Sequence, residues 1–389
     1  MFELEDITKM STRKTEASWV ESRQRWQINV QRNGQRRTFT SSVRGKRGKI
    51  EAEQKADSWL EDRTTGESTK LSVVANGYLE HVEAATSHGY WIQQKQYIDA
   101  YINPRIGNKK ISALTENDLQ GVIDAAYKHG LSRKSLQNLR ACIMAVIKYA
   151  RRSKYTKFIP EGLIIPAGAK KSEKEILPVE DLRKLFSMSA TTYRGKIVAE
   201  DWYINAYRLI VLTGLRPGEL FGLKWDDVAG STLRVKRSVN KFREVTQGKN
   251  DNAQRNIVLT GLAAEVLEAQ REKMKKEGCL KLKWVFPDPD RGDASGHEKF
   301  FLYFRRYKRY NNFCSDTSPY ELRHTYVSVC DDMPIGLKKK VVGHSQSMDT
   351  EGIYGHQKAG DLARAAQYSD NAFKRFLNID GSTVNDDAP

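Results

Sequence analysis

The sequence is short of several features that would otherwise decide its class. Only four of its 389 residues are cysteines. Cys142, Cys279, Cys314 and Cys330 are scattered, with neither a Cys-x-x-Cys pair nor the Cys/His spacing of a zinc site, so reduced and mostly buried thiols are expected. No apolar run is long enough to cross a bilayer, which excludes a membrane-spanning chain. Met1 to Met10 lacks a basic segment followed by an apolar one, so no secretory signal is read and a cytoplasmic protein is expected. Internal repeats, coiled-coil heptads and low-complexity tracts are also missing.

Several catalytic engines are missing as well. Gly45-Lys-Arg-Gly48-Lys49 has neither the spacing nor the Ser/Thr of a phosphate-binding loop. There is no Gly-x-Ser-x-Gly elbow, no His-Glu-x-x-His helix and no dinucleotide fingerprint. Acidic residues do not cluster along the chain as a two-metal nuclease would need. No metal or cofactor is expected.

Acidic residues are in fact the minority charge, 48 against 65 Lys plus Arg, for a net charge of +17. With 39% hydrophobic residues the chain can still bury sizeable cores, and its length suggests two or three domains. Residues 9–49 are the most cationic stretch, with 12 basic residues against Glu16 and Glu21. A polyanion is the partner such a balance suits.

That basic stretch reads as a small sheet. Arg25-Trp-Gln-Ile-Asn-Val30 alternates, Asn33-Gly34 signals a hairpin turn, and Arg37-Thr-Phe-Thr40 is a second strand. A helix with Ala52, Ala56, Trp59 and Leu60 on one face should follow. A sheet bearing Arg23, Arg25, Arg32, Arg36 and Arg37 fits a strand-in-groove reader of DNA, although a solvated basic surface or flexible arm has the same composition. Residues 63–70 are polar and read as a linker, which closes a small α+β domain of residues 1–66.

Helical periodicity governs residues 67–168. Four stripes predict four helices: Leu71, Val74, Tyr78 and Val82; Trp91, Ile98 and Ile102; Leu119, Val122, Ile123 and Ala126; Leu136, Leu139, Ile143, Val146 and Ala150. Thr115 to Asp118 resembles a capping box with Asp in place of Glu or Gln. The fourth helix opens on Ser132-Arg133-Lys134-Ser135, cations and hydroxyls beside free N–H groups, which suits a phosphate as well as an ordinary cap. Pro160 to Lys174 reads as a second linker.

The remainder, residues 169–389, is a mixed and mainly helical block. Helices are expected near 179–187 and 201–213, strands near 231–238 and 255–259, and further helices to about 377. Its distinctive strings come in a fixed order: Thr213-Gly-Leu-Arg216-Pro-Gly-Glu219, then Ser318-Pro-Tyr320-Glu-Leu-Arg323-His324-Thr325, then Val342-Gly-His344-Ser345, then Gly352-Ile-Tyr354-Gly-His356.

In that succession the sequence resembles the tyrosine recombinases, the family of phage and conjugative-transposon integrases and chromosome-dimer resolvases. Each string alone is weak, and their ordered succession ending in Tyr354 is specific. The resemblance covers the last 210 or so residues by motif and the helical bundle by general pattern. Two departures stand out: the family usually has His where this chain has Tyr320, and the interval from His344 to Tyr354 is one residue longer than usual.

The resemblance implies a site. Arg216 and Arg323 match the phosphate-clamping arginines, His344 the His/Trp position, and Glu219 the supporting acidic position. Lys249 matches the hairpin lysine that protonates the leaving 5′-hydroxyl, and Tyr354 the nucleophile. Tyr320 could retain a hydrogen bond from its phenol, and His324 is a supporting candidate. Rivals are Tyr326 for the nucleophile, and Lys236 and Lys241 for the lysine.

A phenol attacking a phosphodiester needs a cationic cluster both to favour its anion and to offset charge on the transition state, and arginine's planar fork suits the non-bridging oxygens.

The implied fold is multidomain: an arm-type DNA-binding α+β domain of a three-stranded sheet plus helix, an all-α core-binding bundle, and a mainly helical α+β catalytic domain. In that catalytic domain segment 361–377, amphipathic through Leu362, Ala365, Ala366, Phe373, Phe376 and Leu377, serves as an oligomerisation helix. The implied partners are double-stranded DNA at core and arm sites, three further copies of the chain, and an excisionase or host DNA-bending protein. The extra basic module favours integration and excision of a mobile element over a resolvase or invertase. A DNA-binding protein without catalysis is the reading from another class.

Overall fold

The computed structural model describes residues 15–32, 35–61, 69–171, 175–193, 197–248, 254–343 and 360–378. Lys249, His344 and Tyr354 lie outside the described residues, as do Ser345 and His356. The chain divides into two compact units, Met1–Ser172 and Glu173–Pro389, and the division falls inside the expected Pro160–Lys174 linker.

The first unit holds two separate apolar cores. One belongs to an antiparallel sheet in the order β1 (Ser18–Val20), β2 (Arg25–Arg32), β3 (Gln35–Ser41), covered by α1 (Gly45–Glu61). Strand alternation decides its faces. Trp26, Ile28 and Val30 pair with Ser41, Phe39 and Arg37 and face α1, where Ala52 and Ala56 are fully buried. Arg25, Gln27, Asn29 and Gln31, with Arg36, Thr38 and Thr40, line the opposite face.

The second core is a helical bundle of α2 (Leu71–Ala85), α3 (His88–Tyr97), α4 (Glu116–Lys128) and α5 (Arg133–Arg152). After α3 the chain continues through a π-helical turn, Ile98–Ile102, into a last helical turn, Asn103–Ile106, and buries Ile98, Ile102 and Ile106. The apolar stripes read from the sequence bury as expected, apart from Trp91, which is half-buried against the same core. The Thr115 side chain caps α4 by accepting from the Asp118 N–H, and the Asp118 carboxylate accepts from the Thr115 N–H at 3.1 Å, so Asp does complete the box.

The second unit buries one large core. Its elements are α6 (Val179–Ser187), a hairpin of β4 (Ala190–Tyr193) and β5 (Ile197–Glu200), α7 (Ile204–Thr213) and α8 (Pro217–Phe221). A three-stranded antiparallel sheet follows, ordered β10 (Arg255–Val258), β7 (Thr232–Val235), β6 (Val228–Ala229). A second hairpin, β8 (Ser238–Val239) with β9 (Val245–Thr246), lies between β7 and β10 in sequence. Then come α9 (Gly261–Lys276), α10 (His297–Tyr310), α11 (Pro319–Val329), α12 (Ile335–Val342) and α13 (Asp361–Leu377). The hairpins β4–β5 and β8–β9 were not expected, because two- and four-residue strands carry too little alternation to register.

Helix α13 packs on its own unit, against α6, α11, α12 and β10, and buries Ala365, Ala372 and Phe373 in the chain's own core, while Leu362, Ala366, Phe376 and Leu377 of the same apolar face are half-buried. One expectation needs correction, the mostly buried thiols. Of the four cysteines, all free, only Cys142 and Cys330 are buried.

Candidate active site

Helix α7 is buried on nearly every side, and it ends at Gly214, whose left-handed φ of 65° closes the helix with a bond to the Ile210 carbonyl at 2.8 Å. Only glycine fits there. A Cβ at Gly214 would stand 2.6 Å from the Tyr326 ring. Two residues on, Arg216 precedes α8, with Pro217 at the first helical position, where the absent N–H costs nothing. Glu219 then reaches back to accept the Arg216 N–H at 3.0 Å. Thus the Gly-Leu-Arg-Pro-Gly-Glu string is a helix stop followed at once by a helix start, with Arg216 at the junction.

Glu219 is the centre of an ion-pair cluster. Its carboxylate accepts Arg216 Nη1 at 2.6 Å and both terminal nitrogens of Arg255 at 3.1 and 3.0 Å. Arg323, on α11, donates Nη1 to the Gly214 carbonyl at 2.6 Å and Nη2 to the Val342 carbonyl at 2.7 Å. Arg216 Nη2 takes the Gly343 carbonyl at 3.0 Å, and Arg255 Nε takes the Val341 carbonyl at 2.5 Å. The last three carbonyls before His344 are therefore each held by a different guanidinium. Those carbonyls form the negative end of α12, which favours cations there.

Electrostatics follow from burial. Burial opposes ionisation of Glu219, yet the Arg255 charge and its hydrogen bonds, with Arg216 added, outweigh it and hold the carboxyl below its usual range. Arg323 is 6% exposed. Burial, reinforced by repulsion from Arg216, pushes its pKa down to about 9, which leaves it cationic at neutral pH. Three guanidiniums gather near the Glu219 carboxylate, which bonds two of them, Arg216 and Arg255, so the cluster gains from any anion that approaches it. The Arg216 side chain keeps 30% of its surface, and each terminal nitrogen of Arg216 and Arg323 has a second N–H to offer. A phosphodiester has the charge and the paired oxygens this arrangement can hold.

Tyr320 sits in the first turn of α11, one turn before Arg323. Its ring stacks beside His297, with centroids 6.4 Å apart, and meets Phe301 at 5.9 Å, leaving the side chain exposed. Partial burial raises the phenol's pKa, and the neighbouring Arg216 charge opposes the rise. His324 is half-buried on the same helix. Tyr326, the rival nucleophile, is a core residue: it is 1% exposed and its hydroxyl lies 2.9 Å from Ser369 Oγ. Lys236 pairs with buried Asp227 at 3.0 Å, and Lys241 lies over the Phe242 ring.

The residue that sequence reading missed is Arg255. Its signal was present in the strand period, since Arg255 alternates with buried Ile257 and pairs across the sheet with buried Val235. A cation on an inward-facing register has to find an anion.

The DNA-facing candidates of the first unit fall on two elements. Arg25 and Arg36 lie on the open face of the sheet, whereas Arg37 lies on the α1 face with its guanidinium 5.7 Å from the Trp59 ring centroid. On the bundle, Ser132 caps α5 by accepting the Ser135 N–H at 3.3 Å, and the two hydroxyls are 3.1 Å apart. The Arg133 N–H is taken by the Lys170 carbonyl at 2.8 Å, and Lys134 is exposed.

These features are those of a DNA strand-transferring enzyme fold, and comparison with known proteins gives the family. The sequence profile of the Phage integrase family matches residues 176–360, and that of the phage integrase N-terminal SAM-like domain matches residues 70–127. The chain belongs to the phage integrase family of tyrosine recombinases, enzymes that break and rejoin DNA. An integrase of Streptomyces ambofaciens is 25% identical, over 92% of this chain and 96% of its own length. The ICEBs1 integrase of Bacillus subtilis (strain 168) is 21% identical, over 81% and 87%. Among solved structures, the Tn1549 transposon integrase in complex with transposon right end DNA aligns with a TM-score of 0.61 and 17% identity, over 76% of this chain and 98% of its own. A lambda integrase tetramer bound to a Holliday junction aligns at 0.58 and 16%, over 89% and 99%. The multidomain fold matches theirs, and among the described residues no helix is long and apolar enough to cross a membrane.

Proposed function

We propose that this chain integrates and excises a mobile element, a prophage or conjugative transposon, by metal- and ATP-independent strand exchange at attachment sites. The observation that carries the reading is the convergence of Arg216, held by Glu219, and Arg323 on the carbonyls at the end of α12, immediately before His344.

In the proposed reaction, Tyr354 Oη gives up its proton with the help of His344 or Tyr320 and attacks the scissile phosphorus, the bond to the 5′-oxygen breaks, and Lys249 gives that oxygen a proton. Arg216 and Arg323 hold the non-bridging oxygens. The 3′-phosphotyrosyl product conserves the bond energy. A 5′-hydroxyl from the partner strand then attacks the same phosphorus and releases the phenol, so two exchanges pass through a Holliday junction.

Residues 1–66 act as the arm-binding domain through the open sheet face of Arg25 and Arg36, with Arg37 contributing from the α1 face. Residues 67–168 grip the core site, with Ser132, Arg133, Lys134 and Ser135 at a phosphate, and residues 169–389 catalyse. Four protomers assemble on two duplexes, and an excisionase or host DNA-bending protein sets direction.

A nicked suicide duplex carrying the element's own end, incubated in EDTA and run on a denaturing gel, tests the reading. Wild type should give a DNA-linked band and Tyr354→Phe none while still binding. An adduct from both would transfer the role to another tyrosine, and none from either would favour a protein that binds without cutting.

A further inference from the structure

Arg255 belongs to none of the recombinase strings, yet it touches two of them. Its side chain is 8% exposed, its forked nitrogens close on both oxygens of Glu219, and its Nε caps Val341, two residues before Gly343. Glu219 would otherwise have Arg216 as its ion-pair partner, and a buried carboxylate facing one guanidinium draws that guanidinium to itself. With Arg255 bearing much of the charge, Arg216 is held by one hydrogen bond to Glu219 Oε1 and one to Gly343, and keeps an exposed edge.

We propose that Arg255 is a positioning residue for strand cleavage: by anchoring Glu219 through both of its carboxylate oxygens, it fixes the orientation in which Arg216 meets the scissile phosphate. It acts through Glu219, to which both of its terminal nitrogens are bonded. The same guanidinium ties the start of β10, six residues after Lys249, to the end of α12, one element of the site to another. The inference rests on the reading of Arg216 as a phosphate clamp.

The geometry also explains why charge alone is insufficient. Lysine could supply the cation but not two parallel N–H bonds to a carboxylate plus a third to a carbonyl. Arg255→Lys should therefore fold and bind DNA with wild-type affinity while cleaving slowly. A misplacement of about 1 Å at a reacting centre commonly costs on the order of 100-fold, so a loss of roughly 10- to 100-fold in the single-turnover rate is expected.

The test compares wild type, Arg255→Lys, Arg255→Gln, Glu219→Gln and the double variant Arg255→Gln/Glu219→Gln on the suicide duplex, with the affinity for the same duplex measured in parallel. Action through Glu219 makes the double variant no slower than Glu219→Gln alone. A second substrate replaces the bridging 5′-oxygen with sulfur, a leaving group that needs no proton. The Arg255 defect should persist on it, because Arg216 still meets the phosphate wrongly.

Full rescue by sulfur would overturn the proposal by placing the defect in proton delivery from Lys249. Full additivity of the two single variants would overturn it as well. So would an Arg255→Lys protein that cleaves at the wild-type rate. If wild type itself forms no adduct, the recombinase reading has failed; if it does and the Arg255 variants match it, only this inference has.

Discussion

Arg323 and Gly214 are 109 residues apart in the chain and 2.6 Å apart in space, guanidinium to carbonyl. The bond joins the two arginine strings: the glycine that ends α7 also supplies the acceptor that aims the second arginine. Gly214→Ala should strain both functions, since φ is 65° and the new methyl meets the Tyr326 ring at 2.6 Å. A loss of about 1–3 kcal/mol is expected for the backbone conformation alone, read by urea denaturation. Adduct formation should fall with it, and unchanged stability would refute the account.

Glu219→Gln leaves Arg216 and Arg255 sharing a neutral partner. Breaking a buried pair of this kind typically costs about 3–5 kcal/mol, which chemical denaturation at pH 7 would show. The folded carboxyl titrates below its ordinary 4.5, so its stabilisation is complete above that pH and is lost as pH falls through the folded value. The gap between wild type and variant should accordingly close in acid. A gap that is constant with pH would mean the carboxylate's charge is not what stabilises.

Asp201 has the opposite sign. It is fully buried, its Oδ1 accepts the Tyr203 N–H at 2.9 Å, and burial raises its pKa from 3.8 to about 6. The native state thus holds a proton that the unfolded chain has released, and wild type should lose stability as pH rises from about 4 to 6. The pKa difference corresponds to a loss on the order of 3 kcal/mol. Asp201→Asn should flatten that part of the pH profile of thermal unfolding, and an unaltered profile would assign the titration elsewhere.

Tyr320→Phe keeps the ring against His297 and Phe301 and removes only the hydroxyl. If the phenol contributes a single hydrogen bond to the reacting phosphate, worth about 1 kcal/mol, cleavage should slow roughly fivefold with folding intact. Tyr320→His should equal or exceed wild type. A Phe variant as fast as wild type would remove Tyr320 from the catalytic set.

On the N-terminal sheet, the register separates neighbouring arginines. Arg36→Ala should lower the slope of log K against log salt for arm-site DNA by about 0.9, the contribution of one phosphate. Arg37→Ala, on the α1 face beside Trp59, should change the slope less and stability more. Equal slopes for the two variants would mean that strand face does not govern contact.

The sequence by itself determined the elements with strong local periodicity and the order of the motifs. The four helical stripes, the Thr115 cap, the strand pair Arg25–Val30 with Arg37–Thr40, and the Arg216, Arg323, His344, Tyr354 succession were all readable, because helix and strand periods and turn chemistry act over a few residues. Tertiary structure decided what depends on partners distant in sequence. It buried Tyr326 against Ser369, turned Arg37 to the helix side of its sheet, folded α13 onto its own unit, and brought Arg255 to Glu219 across 36 residues. Which cation meets which carboxylate is set by chain crossing and burial, and a one-dimensional pattern records neither.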